Sequence, residues 1–453
     1  MNNNDLTKKI GKRILSEAND LKRTIKALAR DIDFDEKKLE KIINGKCNIE
    51  DSYKIINKMG DVYSIDISDL FLLKDDTTNG LKFMKAKDSI NSSRVFCRID
   101  CNGERTPYYE YRDTAMSILS PYKPEWIKEL RVVDNNDPNN PDVVFNNGHF
   151  MHQITFFVGP VNFYWEVNGK RYCKEMNTGD SNYITPFWPH SFTNRNSDEE
   201  AYILAITFGA EVRRAQKELY ALGAKSKNYL IQYRNHQKAI KQLIYQHMCN
   251  ENYTYEHLAK LLKDKSIDID IKEIQDGSMN ISFESLRVIA ELLNIEPYDL
   301  LLPKYKSSEE VVIKTSEDKN KYFYPSKKEA CYSIEALART SKMPLLKGFS
   351  LKVISNKVSK NLITSLHTYI YNYGSSEIII YWEDEGISYQ EKIQSNDSLY
   401  IQPFINHGFS CSAKNGKLFI VRVSGSINLA TQRELSYMSN IDRAYNEKKP
   451  WFN

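Results

Sequence analysis

The sequence predicts an α+β chain in which a helical module and an antiparallel β module occur twice in tandem. Two internal repeats and the length carry that prediction. The segment that starts at Thr24-Ile25-Lys26-Ala27-Leu28-Ala29, passes Ile42-Ile43-Asn44-Gly45-Lys46 and ends at Ile65-Asp66-Ile67-Ser68-Asp69-Leu70 has a second copy. That copy starts at Thr254-Tyr255-Glu256-His257-Leu258-Ala259, passes Ile274-Gln275-Asp276-Gly277-Ser278 and ends at Ile295-Glu296-Pro297-Tyr298-Asp299-Leu300. The offset is 230 residues at both ends and 232 at the central glycine, so the two copies differ by a small insertion that is later compensated. Separately, Asp180-Ser181-Asn182-Tyr183-Ile184-Thr185-Pro186-Phe187-Trp188-Pro189-His190-Ser191-Phe192 returns as Asp397-Ser398-Leu399-Tyr400-Ile401-Gln402-Pro403-Phe404-Ile405-Asn406-His407-Gly408-Phe409. Asp, Ser, Tyr, Ile, Pro, Phe, His and Phe keep identical spacing. A chain of 453 residues has room for three or four domains at roughly 100–200 residues each.

The elements follow in order. Residues 5–76 place apolar side chains at i, i+3 and i+4 between glycine breaks, the pattern of short amphipathic helices. The Thr-x-x-x-Leu-Ala start and the glycine stop resemble a helix-turn-helix domain of the phage-repressor type. Residues 84–211 contain the alternating runs 154–158, 162–167 and 203–208, separated by Gly, Asn and Pro, and read as antiparallel strands. Their Gly-Asp turn, strand and Pro-x-x-x-His resemble the second half of a cupin, a small double-sheet jelly roll. Residues 212–303 hold a Lys- and Gln-rich helical linker, about Val212–Met248, and the second helix-turn-helix-like module; residues 304–430 hold the second cupin, and 431–453 form a tail.

Composition excludes several classes. With 41% hydrophobic residues and 29 tyrosines the chain is not disordered. No apolar run approaches the ~18 residues of a membrane span, and Met1-Asn2-Asn3-Asn4-Asp5 does not open a signal peptide. Seven cysteines, odd in number and without a Cys-x-x-Cys pair, fit a reducing cytoplasm rather than a disulfide scaffold or a cysteine zinc site. Net charge is +4 from 63 basic and 59 acidic residues, against a chain that coats nucleic acid. A helix-turn-helix joined to a cupin is also the layout of some transcription regulators. The recognition stretches argue against DNA: Asp35-Glu36-Lys37-Lys38-Leu39-Glu40-Lys41 is mixed in charge, and Asp268, Asp270, Glu273 and Asp276 are acidic.

Three histidines cluster in the first β module: His149, His152 and His190. In a strand, alternate residues share a face. His149 and Gln153, four apart, can both point inward; His152 has the opposite parity and should point away, and His190 lies on the facing strand. A non-haem iron site needs three ligands on one face with the opposite positions open. Gln153 would be an unusual third ligand, because its carbonyl is neutral where a carboxylate normally supplies a negative charge.

The frame Asn146-x-x-His149-x-x-x-Gln153 with distant His190 resembles the phosphonate-active non-haem iron oxygenases. These enzymes join a helix-turn-helix-like domain to a cupin, and some carry the pair twice, so the resemblance covers nearly the whole chain. An epoxidase of that family has glutamate where Gln153 stands. A dioxygenase takes its glutamate from six residues before the last histidine, where this chain has Ile184 and no donor. A glutamine third ligand belongs to the members that release methylphosphonate. The resemblance therefore implies Fe(II) held by His149, Gln153 and His190, with O2 as co-substrate and 2-hydroxyethylphosphonate cleaved at its C–C bond to methylphosphonate and CO2. The sister outcome is hydroxymethylphosphonate and formate. The substrate supplies all four electrons that O2 takes, so no 2-oxoglutarate is required.

The same resemblance assigns further residues. Asn146 contacts the phosphonate. Tyr111 and Tyr108 match a tyrosine cluster whose hydroxyl bonds a phosphonate oxygen, and Arg98 (with Arg105 as runner-up) supplies a guanidinium. Lys22 enters an active site, often that of a neighbouring subunit, where its ammonium offsets phosphonate charge and donates a proton; this implies a homo-oligomer, dimer or tetramer. In the second copy Thr364 falls opposite His149, Thr368 opposite Gln153, His407 opposite His190 and Asn252 opposite Lys22. Two of three ligands and the lysine are lost together, which implies one metal site per chain and a degenerate second cupin.

Overall fold

The computed structural model describes residues 3–452 apart from 121, 268–269, 277, 279–281, 302–309, 318–320 and 360. Asp268, Gly277 and the expected boundary between 303 and 304 lie outside the described residues.

The threonine that opens each helical repeat is a helix N-cap. Thr24 Oγ1 accepts from the Ala27 N–H at 3.1 Å, and Thr254 Oγ1 accepts from the His257 N–H at 3.1 Å. Each satisfies a backbone donor that the first turn leaves orphaned. Helices Asn3–Asp20, Ile25–Asp31, Glu36–Ile43 and Ile49–Val62 then close over Leu28, Leu39, Ile55, Ile56 and Met59. Helices His236–Asn250, Tyr255–Asp264, Ile271–Asp276 and Phe283–Leu292 close over Leu258, Leu262 and Ile289 in the same way. Lys22 and Asn252, at the turn that leaves the first long helix of each module, share the left-handed backbone, with φ of 55° and 56°.

The β half of the molecule consists of two seven-stranded and two three-stranded antiparallel sheets among the described residues. One large sheet runs Val311–Lys314, Ser181–Ile184, His152–Val158, Tyr202–Phe208, Lys123–Glu129, Arg105–Asp113, Arg94–Ile99; its small sheet is Lys170–Met176, Val161–Val167, His190–Asn194. The second large sheet runs Leu81–Met84, Ser398–Ile401, His367–Asn372, Gly416–Val423, Leu346–Val353, Tyr332–Ala336, Lys321–Tyr324; its small sheet is Ile387–Ile393, Ile378–Asp384, Asn406–Ser410. Alternation along the strands divides the core. Phe157, Ile203 and Ala205 face the small sheet and meet Phe163 and Phe192. Phe156, Leu204 and Phe208 face the other way and pack on Tyr369, Tyr371, Phe419 and Val421 of the second large sheet. The central strands of the large sheets are therefore buried on both faces, and the two sheets lie back to back.

The edge strands are exchanged. Leu81–Met84, early in the chain, pairs with Ser398–Ile401, whereas Val311–Lys314, from the second half, pairs with Ser181–Ile184. Each β unit is completed by a strand from the other half of the chain: Val311–Lys314 lies inside the block 304–430, and Leu81–Met84 straddles the start of the block 84–211. The repeated Asp-Ser dipeptide holds this exchange. Asp180 accepts from the N–H groups of Asn177 and Ser316, each at 2.7 Å, and Asp397 accepts from those of Gln394 at 3.0 Å and Ala86 at 2.8 Å. Ser181 Oγ accepts from the Ala338 N–H and Ser398 Oγ from the Ala115 N–H, both at 2.8 Å. Two of the eight repeated residues thus anchor one copy to the other. The C-terminal segment spans both helical modules: Arg433 lies 4.1 Å over the Tyr298 ring, and the Trp451 N–H donates to Asn19 Oδ1 at 2.9 Å.

Candidate metal centre

Strand His152–Val158 turns Gln153, Thr155 and Phe157 into the space between the large and small sheets of the first β unit. Gln153 is buried. Its amide Nε2 donates to Thr155 Oγ1 at 2.9 Å, which aims the carbonyl Oε1 at His149 Nε2, 3.1 Å away. Thr155 was not foreseen from sequence, although the i+2 rule that selects Gln153 also places Thr155 beside it. His149 lies just before the strand, with Nδ1 2.8 Å from the Met151 carbonyl; His190 opens the strand His190–Asn194, with Nδ1 2.9 Å from the Trp188 carbonyl. A ring nitrogen that faces a carbonyl carries the proton, so both imidazoles present Nε2 as a bare lone pair. The rings stand nearly perpendicular, at 86°, with centroids 5.0 Å apart. Burial, chiefly, with the nearby His149 and Arg98, pulls the His190 pKa down to about 4, which keeps it in the neutral form a metal requires.

Asn146 ties the two histidine loops together. Its Oδ1 accepts from the N–H groups of His190 at 3.0 Å and Gly148 at 2.9 Å, and its Nδ2 lies 3.0 Å from His190 Nε2. Gly148 is required here: its φ is +71°, and a Cβ would stand 2.4 Å from the Phe187 backbone. Three neutral donors therefore converge, and the set fits a metal centre. Among the described residues no group of three His, Cys, Asp or Glu side chains could hold a metal ion; beside the two histidines the further side-chain donor here is the Gln153 amide. Ile184 stands directly across from Gln153 in the sheet and is fully buried, adding no donor. His152 points to the opposite face, where it bonds the Tyr183 hydroxyl and stacks on Phe208 with centroids 5.4 Å apart. His367 repeats that arrangement on Tyr400 in the second unit.

Tyr108, Tyr109 and Tyr111 all reach the same interior, which strict alternation forbids. A β-bulge explains it: pairing jumps from Phe96↔Tyr109 to Cys97↔Pro107, leaving Tyr108 as the extra residue and turning it inward. The Tyr108 hydroxyl lies 2.9 Å from Ser191 Oγ and accepts from the Val144 N–H at 3.1 Å. The Tyr111 hydroxyl has no hydrogen-bond partner among the described residues. Arg98 extends over the Tyr108 and Tyr109 rings, at 4.9 and 5.2 Å, and donates to the Val144 carbonyl; Arg105 is exposed. Lys22 is elsewhere in its own chain, with its ammonium donating to the Asp20 carbonyl at 2.8 Å and lying 5.6 Å over Trp451.

Glu129 is a residue that nothing in the sequence pattern marks. It lies across from Tyr109, is 2% exposed, and neither carboxyl oxygen has a partner among the described residues. Burial pushes its pKa well above the carboxylate range, and Arg98 only partly opposes this. The native state therefore holds this proton more tightly than the unfolded chain. Stability from this group is present at low pH and is lost as pH rises above the ordinary carboxylate range towards the raised value. Glu129→Gln removes the ionisation. It is expected to gain stability over the wild type by up to about 1.4 kcal/mol per pH unit in that window. Denaturant melts from roughly pH 5 to 8 check this, and parallel pH curves for the two proteins would reject it.

In the second unit the Phe404 N–H donates to the Thr364 carbonyl at 2.7 Å, as the Phe187 N–H does to His149 at 2.8 Å. The loop geometry survives while the donors do not: Thr364 and Thr368 stand at the two lost positions, and His407 alone remains.

No family model matches the chain. A methylphosphonate synthase from Nitrosopumilus maritimus is 37% identical over 452 residues, 98% of this chain and 95% of that protein. Among solved structures, the Streptomyces albus 2-hydroxyethylphosphonate dioxygenase with its substrate 2-hydroxyethylphosphonate and Fe(II) bound superposes with a TM-score of 0.89 at 31% identity, covering 99% of both chains. PhpD, solved with cadmium, shares the fold, with a TM-score of 0.71 at 16% identity over 94% of this chain and 96% of its own. Among the described residues no helix is long and apolar enough to cross a membrane.

Proposed function

We propose a reaction from the premise that this chain belongs to the methylphosphonate synthase family, whose members are phosphonate non-haem iron oxygenases. The reaction is the Fe(II)- and O2-dependent cleavage of the C–C bond of 2-hydroxyethylphosphonate to methylphosphonate and CO2. Atoms and electrons balance with one O2 taken up and one water released, so no 2-oxoglutarate enters. In this reading the β units are two cupins and the helical modules are helix-turn-helix-like scaffolds that bind no DNA. The relatives lend no support to a transcription regulator.

His149, Gln153 and His190 would hold the iron, which supplies activation of O2 and a Lewis-acid anchor for the substrate. Asn146 fixes the His190 backbone through Oδ1 and, with iron on His190 Nε2, would turn its amide N–H to a phosphonate oxygen. Arg98 faces the dianion with a planar guanidinium suited to two oxygens at once. Tyr111, with its hydroxyl unengaged, donates to the phosphonate. Tyr108 has its hydroxyl committed to Ser191 and Val144, and serves by supporting Arg98 on its ring face. Lys22 acts on the site of a neighbouring subunit in a homo-oligomer. Seven unpaired cysteines support a cytoplasmic setting.

One observation carries the choice of product: the third donor is an amide, with Gln153 Oε1 3.1 Å from His149 Nε2 and Ile184 opposite it. Phosphorus NMR of iron-loaded protein incubated with 2-hydroxyethylphosphonate in air tests the reading. Methylphosphonate is expected. Hydroxymethylphosphonate would move the chain to the dioxygenase reaction, and unchanged substrate would reject both.

A further inference from the structure

The second β unit has lost two of three donors but keeps a hollow interior. A cavity of about 280 Å3 lies there, lined by Arg422, Tyr322, Tyr324, Asn361, Leu362 and Phe349 among others. Arg422 belongs to the inner face of its strand, in phase with Leu418 and Ile420 of the unit's core and out of phase with Phe419, Val421 and Val423. Its cross-strand neighbours are Thr368 on one side and Lys347 on the other. Thr368 holds the place that Gln153 has in the first unit, a register pinned by His152 and His367 with their matching tyrosines. The residue across from Gln153 is Thr207; the residue across from Thr368 is Arg422. A fixed guanidinium therefore stands in the second copy beside the position where a metal donor has disappeared.

That guanidinium has no counter-ion. Arg422 forms no ion pair among the described residues, and its Nε is buried without a partner. Phe349 stacks beneath it at 5.7 Å. Two further cations, Lys347 and Arg339, also without ion pairs among the described residues, line a groove of about 770 Å3 that shares Tyr322 and Phe349 with the cavity. His407 Nε2, fully buried and without a partner, is close enough to Arg422 for the guanidinium to oppose its protonation. Burying one cation without compensation is strongly unfavourable, and clustering two more at its entrance adds repulsion. Such an arrangement is stable where an anion completes it.

We propose that the cavity of the second β unit is a binding site for a small tetrahedral oxyanion, a phosphonate or a phosphate. Arg422 grips two oxygens as a planar fork, and Lys347 and Arg339 draw the dianion in. The degenerate copy has replaced a metal by a guanidinium and kept the ligand class. The site itself stands on Arg422 and the cavity of the second unit; the comparison of ligand class, and the count of two equivalents below, rest on the function proposed for the first.

Calorimetric titration of the iron-loaded protein under anaerobic conditions tests it, with 2-hydroxyethylphosphonate, methylphosphonate, inorganic phosphate and acetate as separate probes. Wild type is expected to bind two equivalents of phosphonate or phosphate per chain. Arg422→Leu is expected to bind one fewer equivalent with turnover retained, and Lys347→Met to weaken the second equivalent about tenfold, the loss of one charged contact. Arg422→Lys, which preserves the charge, keeps the second equivalent at reduced affinity and covers the case in which Arg422→Leu fails to fold. Response to phosphonate but not phosphate identifies the enzyme's own substrate or product as the ligand; the reverse identifies free phosphate. Absence of a second equivalent of any probe in the wild type, a second equivalent undiminished in Arg422→Leu, or binding of acetate alone overturns the proposal.

Discussion

Gln153→Ala is expected to weaken iron retention by more than ~100-fold, beyond the usual range for a residue that merely supports a ligand, and to abolish product formation. The substitution removes the Oε1 that faces His149 Nε2 at 3.1 Å and leaves two imidazoles, both already anchored through Nδ1. Two imidazole nitrogens alone hold divalent iron more weakly against water than three protein donors do. Gln153→Glu separates ligand loss from cavity formation, because it fills the same volume and adds a negative charge; it is expected to bind iron at least as tightly as the wild type. Iron per chain after gel filtration, measured beside turnover by phosphorus NMR, reads both. Full iron and full activity in Gln153→Ala would remove Gln153 from the centre and shift the third donor elsewhere.

Asp180→Ala is expected to destabilise the fold by roughly 3–6 kcal/mol, since two hydrogen bonds to a charged acceptor disappear at roughly 1.5–3 kcal/mol each. Its carboxylate is 3% exposed and receives the Asn177 and Ser316 N–H groups, both at 2.7 Å. After truncation those part-buried donors lose their acceptor. Asp397→Ala is expected to behave alike, because the Gln394 and Ala86 N–H groups depend on it. Denaturant unfolding measures the loss, and iron content of the surviving folded fraction should stay unchanged. A variant that kept its stability but lost its iron would assign the repeated aspartate to the metal centre instead of to the strand exchange.

These two residues mark how far the sequence could be read. The tandem repeat, the helical and β character of its parts, and the inward phase of Gln153 all follow from periodicity, which reports the face a side chain occupies. Periodicity does not report which strand lies alongside, so the identical spacing of Asp180 and Asp397 pointed to a shared turn, while their bonds to Ser316 and Ala86 came from the structure. The bulge at Tyr108 was hidden for a related reason: an extra residue shifts the phase of one strand against its partner only, and a single chain segment shows no trace of it. Glu129 was missed because a carboxylate at a strand end is ordinarily solvated. Arg98 lies over the Tyr108 ring, whereas Arg105 is exposed. Lys22 donates to the Asp20 carbonyl and lies over Trp451, apart from His149, Gln153 and His190 of its own chain.

The exchange of edge strands also bears on how such a molecule can change over time. A duplicated half that has ceased to work is ordinarily free to be discarded. Here each half carries the border of the other, so a deletion that removed the second would expose Ser181–Ile184 along its length and unpick the first. The two copies are inherited as one unit whatever happens inside either. The seam is held by Asp180, Ser181, Asp397 and Ser398, while the second interior carries Thr364 and Thr368 in place of His149 and Gln153, with Arg422 where the first has Thr207.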